Sequence, residues 1–146
     1  MSTSLSLPLS ADLLVPQRPP IRVIDRLIEF DEFRGVVESF VSPDSIFVRD
    51  DGSVEEVAMV EIIAQAFAAV KGYADILKGK PVNKGLLVEV KRLNITGKAF
   101  GGERLLTFLK RIVDMDEFSL AEGKVMHNDQ LIALGNVMVW VPKNIL

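Results

Sequence analysis

A chain of 146 residues predicts one domain, and at that length roughly 70% of the unfolded surface can be buried without help from disulfides or a structural metal. There is no cysteine, which removes thiol catalysis and thiolate metal sites, and the net charge of −3, with no basic cluster, argues against a nucleic-acid partner. A hydrophobic share of 49% is ordinary for a globular protein, but a mean hydropathy of +0.28 is on the high side and predicts a large shared core of the kind an interface between subunits makes.

The N-terminal stretch "MSTSLSLPLSADLL" has neither a basic leader nor a long apolar run, so no signal peptide is expected. No run is expected to reach the ~18 apolar residues of a membrane span. A cytoplasmic protein with no membrane partner is the resulting expectation. Residues 1–12 read as a flexible N-terminal arm, and residues 13–146 as a single domain.

Pro16, Pro19 and Pro20 forbid a regular helix in the next segment. Aliphatic and β-branched residues then predict a strand over Ile21–Phe30, and "VVESFV" predicts a second one. "SPDSIFVRDDGS" is dense in turn formers. A helix follows, with Ser53 as its N-cap and Glu56 three residues on, the spacing of a capping box. It extends to Tyr73 or Leu77. After the loop "KGKPVNKG", four strands are expected: "LLVEVKRLNIT", "ERLLTFLKRIVDM", "FSLAEGKVMH" and "QLIALGNVMVWV". The last three, separated by the polar breaks "MDEF" and "HNDQ", form a meander. The order β-β-α-β-β-β-β predicts an α+β fold in which a curved antiparallel sheet wraps one long central helix.

That helix, "VEEVAMVEIIAQAFAAVKGY", is apolar on nearly every face from Val57 to Val70, interrupted only by Glu61 and Gln65. Four residues apart, the two share one helix face. A carboxyl desolvated in such a place favours its protonated form and can exchange a proton near neutral pH. The structural alternative has Glu61 and Gln65 bonded to a backbone break such as the 43–52 loop, or to a partner subunit. Asp50 and Asp51 offer a second carboxylate at the helix start, or simply a solvated turn. His127, the single histidine, falls in a turn, where exposure to solvent is the ordinary outcome.

Four stretches resemble the hot-dog fold and, within it, the 3-hydroxyacyl-acyl-carrier-protein dehydratases. "VPQRPPIRVIDRLIEF" resembles that family's opening Pro-His-Arg-x-Pro and Val-Asp-Arg tract, with Gln17 in place of the His and with Arg18, Pro20, Asp25 and Arg26 matching. "VEIIAQAFAA" resembles its central helix, with Glu61, Ala64 and Gln65 on the Glu-x-x-Ala-Gln core. "LLVEVKRLNITGKAFGGERLLTFLKRIV" resembles its glycine-linked strand pair, and "GKVMHNDQLIALGNVMVWV" its closing hairpin. The resemblance implies a catalytic carboxylate at Glu61. It also implies an apolar acyl tunnel between helix and sheet, and a helix N-terminus that polarises the thioester carbonyl. Gln65, Phe47, Val57 and Ala58 are the substrate-binding positions that follow from it.

The family's His-Phe-Pro-Gly tract, which carries the base that removes the α-proton, is missing. Phe47, fourteen residues before Glu61, stands at the His position. With "RDDGSVEEVAMVEIIAQAFAA", the chain resembles a divergent dehydratase-like branch of aryl polyene and related polyketide-type gene clusters. The expected function is therefore a dehydratase-like protein acting on 3-hydroxyacyl thioesters of acyl carrier protein or CoA, in fatty-acid or polyketide-type biosynthesis. A thioesterase and a non-catalytic partner subunit are the alternatives. A homodimer or higher oligomer, or a heterodimer with a catalytic paralogue, is expected. No cofactor and no metal site are expected, since one His and no Cys leave only carboxylates as ligands.

Overall fold

The structure, a computed structural model, describes residues 6–32, 34–80, 87–115 and 117–140. Its elements run β1 (Leu9–Ser10), a 3-10 turn (Ala11–Leu13), β2 (Arg26–Phe30), β3 (Arg34–Phe40), α1 (Glu56–Leu77), β4 (Leu87–Ile95), β5 (Arg104–Met115), β6 (Phe118–His127) and β7 (Gln130–Trp140). The strands make one antiparallel sheet of seven, in the order β1-β2-β3-β5-β6-β7-β4. One long helix packs against this curved sheet, which is the hot-dog arrangement of the α+β class. The β5-β6-β7 meander forms as its polar breaks predict, and "LLTFLKRIV" is strand despite its helix propensity.

Two boundaries differ from the sequence reading. The flexible arm does not extend through residues 9–12: Leu9 and Ser10 pair with Leu27 and Arg26, and Ala11 is fully buried. The strand expected over Ile21–Phe30 also begins later, at Arg26, because residues 21–25 precede the ladder. There Ile21 and Arg22 donate their N–H groups to Arg18 O in a turn, and the Gln65 side chain on α1 bonds the Val23 N–H and the Ile21 carbonyl.

The inner face of the sheet explains how the helix sits so close. Gly35 on β3, Leu109 on β5, Gly123 on β6 and Gly135 on β7 are successive cross-strand partners, so they form one row. A Cβ at Gly35 would collide with Val70 Cγ2, and one at Gly123 would lie 2.6 Å from Ile63 Cγ2. Ile63 and Val70 are seven residues apart, about 10.5 Å along a helix. Gly123 and Gly35 are two strands apart, about 9.6 Å. The two spacings agree, and α1 runs across the strands along this row.

By mean hydropathy and length α1 is apolar enough to cross a membrane, though Glu61, Gln65 and Lys71 interrupt its apolar run, and 56% of its most apolar window is buried within the protein. It is a core helix of the kind that is apolar all round. Ile62, Ile63, Ala66 and Ala69 are fully enclosed. At its C-terminal end, Gly79 adopts φ +71° and donates its N–H to Ile76 O, a turn that a left-handed residue closes most easily.

Candidate active site

The start of α1 is built differently from the expected capping box. Ser53 is fully buried, and both its N–H (2.9 Å) and its hydroxyl (2.6 Å) donate to Asp51 Oδ1. The N-cap is Glu55, whose side chain makes no cap hydrogen bond. A serine turned back into the preceding turn is not free to cap, which is the usual competition for such side chains. The hydrogen bonds from Ser53 hold the Asp51 carboxyl below its ordinary value. Asp51 is therefore a turn-forming residue, and Asp50 is exposed in the same turn.

Phe47 is half-buried against the core, and its carbonyl accepts the Glu55 N–H at 2.7 Å. It therefore supports the first turn of the helix through its backbone. Val57 is 55% exposed, whereas Ala58 is 0% exposed and spends its N–H on Glu55 O at 3.0 Å. Of these two candidate substrate contacts, only Val57 is exposed. The Ala58 side chain is enclosed in the core.

Glu61 and Gln65 do meet. Gln65 is 1% exposed and Glu61 half-buried, so the amide, not the carboxylate, is the fully enclosed member. Gln65 Oε1 accepts the Val23 N–H at 2.9 Å. Gln65 Nε2 donates to Ile21 O at 3.1 Å and to Glu61 Oε2 at 2.9 Å. The amide is thus anchored to the 21–23 segment before β2, not to the 43–52 loop. One carboxylate oxygen of Glu61 is fixed by it. Val57, one turn earlier on the same face, flanks the pair.

His127 closes β6 and is not simply solvated. Its side chain is 24% exposed, with Nδ1 3.4 Å from Glu103 Oε2. Glu103 Oε1 in turn accepts the Phe100 N–H at 2.6 Å. Phe100 bridges to Ser53, and Val54 donates its N–H to Ala99 O at 2.8 Å. The histidine therefore braces the loop that meets the helix start.

Sequence reasoning missed a charged cluster on the outer face of the sheet. Glu38, 2% exposed, accepts from Arg26 Nε at 2.8 Å and from Arg104 Nε at 2.6 Å. Burial pushes its carboxyl up, but the bonds from Arg104 and Arg26 outweigh that and hold it below its ordinary value. The only signal was a carboxylate within an apolar strand. Asp25, next to Arg26, accepts the Phe40 N–H at 2.7 Å. Burial raises its carboxyl above the ordinary value, with that N–H and Arg22 opposing. Asp25 lines an open cleft of about 300 Å³ together with Pro20, Arg22, Phe40, Ser42 and Asp44.

A family model described as ApeP-like, ApeP dehydratase, matches residues 9–146. The dehydratase heterocomplex ApeI:P from Xenorhabdus doucetiae aligns with a TM-score of 0.83 at 17% identity, covering 93% of this chain and 93% of that one. The PaaI protein of the E. coli phenylacetic acid degradation operon aligns with a TM-score of 0.59 at 14% identity, covering 79% and 81%. A hypothetical thioesterase with coenzyme A from Streptococcus pneumoniae aligns with a TM-score of 0.60 at 9% identity, covering 80% and 84%. At these identities the structural likeness is one of fold. A search of curated proteins finds no match.

Proposed function

Since the chain belongs to the ApeP-like dehydratase family, we propose that it is the carboxylate-bearing half of a two-chain dehydratase for 3-hydroxyacyl thioesters of acyl carrier protein or CoA, in fatty-acid or polyketide-type biosynthesis. The observation that carries this reading is the Glu61 carboxylate itself. Gln65 holds Oε2, and Oε1 has no hydrogen-bond partner among the described residues. Phe47 stands where the resemblance puts the base, and His127 is engaged with Glu103. In the reaction, a base takes the α-proton, the C–O bond to the 3-hydroxyl breaks, and the α,β double bond forms. Glu61 as general acid protonates the departing hydroxyl, which leaves as water. The base comes from the second chain.

Three observations support the assembly. The ApeI:P structure is a dehydratase made of two kinds of chain. Ile46, Val57 and Phe100, all on segments that meet at the helix start, are 42–61% exposed. β4 ends the sheet and offers nine residues of strand edge. The coenzyme A-bound neighbour fits a thioester ligand.

The test is turnover of a 3-hydroxyacyl thioester, read by mass spectrometry. The protein is assayed alone and mixed with a His-bearing hot-dog paralogue. Enoyl product from the mixture only, falling ~10²–10⁴-fold with Glu61→Gln, is the expected result. Unchanged turnover with Glu61→Gln overturns it. Enoyl product from the protein alone means a homo-oligomer that works without the usual His, and free thiol without enoyl product means hydrolysis.

A further inference from the structure

Glu38 is shared between two guanidiniums, and that leaves charge over. Arg26 places Nε and Nη2 on Oε1, each at 2.8 Å, and Arg104 places Nε on Oε2 at 2.6 Å. Arg26 Nη1 and both terminal nitrogens of Arg104 have no hydrogen-bond partner among the described residues. The two arginine side chains are 48% and 50% exposed. One carboxylate for two cations makes a spot of positive charge on a chain whose own net charge is −3. Free guanidinium N–H groups of this kind match phosphate oxygens.

The spot borders the open cleft of about 300 Å³. Phe40, two residues beyond Glu38 on β3, shares its face of the sheet and pairs across the ladder with Arg104. It is 45% exposed and lines the cleft together with Pro19 and Pro20, which gives a flat ring an apolar wall. Asp25, next to Arg26 in the chain, places Oδ2 on the Phe40 N–H, and its Oδ1 has no partner among the described residues. Asp25, Asp44 and Ser42 thus offer acceptors to the amino group of a base and the hydroxyls of a ribose. Small-molecule sites span about 300–1,000 Å³, so this cleft takes one end of a ligand the size of coenzyme A.

We propose that the cleft and the Arg26–Arg104 pair form a nucleotide site for the phosphoadenosine end of a CoA thioester, with the base against Phe40 and the phosphates on the two guanidiniums. This rests on the thioester reading and narrows it to CoA. The end of the sheet gives the route to Glu61. Arg104 follows Glu103, whose Oε1 accepts the Phe100 N–H, and Phe100 bridges to Ser53, two residues before the helix N-cap. Glu61 lies six residues beyond that N-cap, about 9 Å along the helix. The pantetheine arm follows this edge, and the nucleotide and the thioester sit at its two ends.

The first test is calorimetric binding of adenosine 3′,5′-bisphosphate to the whole protein at low salt, where charge contacts are least screened. Saturable binding is expected, with inorganic phosphate weaker. Phe40→Ala is expected to weaken it roughly 5–150-fold, the cost of one lost base–aromatic contact. The triple variant Arg26→Gln, Glu38→Gln, Arg104→Gln removes the cations without stranding a buried carboxylate, and is expected to weaken binding about tenfold or more. No binding of the bisphosphate, or binding that neither variant changes, overturns the proposal. Phosphate binding as tightly as the bisphosphate also overturns it, since the cleft then holds no nucleoside.

The second test is competition in the two-chain mixture. The bisphosphate is expected to raise KM for a 3-hydroxyacyl-CoA without changing kcat, and to leave turnover of the carrier-protein thioester unaffected. CoA-thioester turnover that the bisphosphate does not inhibit overturns the proposal. Calorimetry needs no turnover, so the two readings fail separately. Bisphosphate binding without dehydration overturns the dehydratase reading and leaves the nucleotide site standing. Dehydration of the carrier-protein thioester with no bisphosphate binding does the reverse.

Discussion

Gln65 Nε2 stands 2.9 Å from Glu61 Oε2 while the oxygen of the same amide accepts the Val23 N–H, so one buried side chain ties the catalytic candidate to the segment that precedes β2. Gln65→Leu leaves the Val23 N–H and the Ile21 carbonyl without these partners. A loss of about 1–3 kcal/mol in urea unfolding is expected for the buried donor. Glu61→Gln keeps the hydrogen-bonding shape and is expected to shift stability by less than ~1 kcal/mol. A large loss there would make Glu61 a structural residue first.

Gly35→Ala is expected to destabilise the protein by about 1–3 kcal/mol, because the new Cβ and Val70 Cγ2 claim the same space. Val70→Ala in that background should recover part of the loss. The double-mutant cycle in chemical denaturation measures the coupling, and strict additivity would show that the two do not press on each other.

Glu38 and Asp25 bend the pH dependence of stability in opposite senses. The Glu38 carboxyl lies below its ordinary value of 4.5 in the folded state. Its contribution is present above that value and is lost as pH falls through the folded one, since the unfolded chain binds the proton more readily there. Melting temperature should therefore drop more steeply below pH 4.5 in the wild type than in Glu38→Gln.

The Asp25 carboxyl lies above its ordinary value of 3.8, so its protonated form favours the fold. That contribution is present below 3.8 and is lost as pH rises through the folded value. Asp25→Asn, which still accepts from Phe40, is expected to be as stable as the wild type at pH 7, or slightly more so, and less favourable relative to it at pH 3. Thermal unfolding across pH 3–7 checks both residues.

His127→Asn is expected to leave turnover of the two-chain mixture unchanged and to weaken only the brace through Glu103 and Phe100. A pair at 3.4 Å with both members partly exposed is worth about 1 kcal/mol or less. Loss of turnover without loss of folding would make His127 the missing base.

How much of this could be read from the residues depends on how local each interaction is. Glu61 and Gln65 stand out because an amide and a carboxylate four apart in an apolar helix must face each other. Their anchor could not be read, since Val23 lies 42 residues from Gln65. The glycine row is invisible in the chain. Gly35, Gly123 and Gly135 look like ordinary loop or bulge signals until the strand register aligns them. The capping box failed because Asp51, two residues before Ser53, competes for the same hydroxyl and N–H. The seating of Leu9–Ser10 on β2 carries too short a pattern to register as a strand. Glu38 was passed over because its two arginine partners lie 12 and 66 residues away, on β2 and β5, and only the strand pairing brings them together.

The strand order carries a consequence for how the molecule is made. β3 pairs with β5, so α1 and β4 are synthesised before the sheet can join across them. Strands β5, β6 and β7, which cover much of the helix, come after it in the chain and end at Trp140. At the usual pace of translation, roughly 3–13 seconds separate Leu77 from Trp140. For that interval a 22-residue helix, apolar enough for a bilayer, waits on the ribosome without its cover. The nascent chain is therefore most exposed to aggregation and to chaperones at this one stage, and synonymous or cold-induced slowing between residues 78 and 140 should lower soluble yield more than slowing anywhere else.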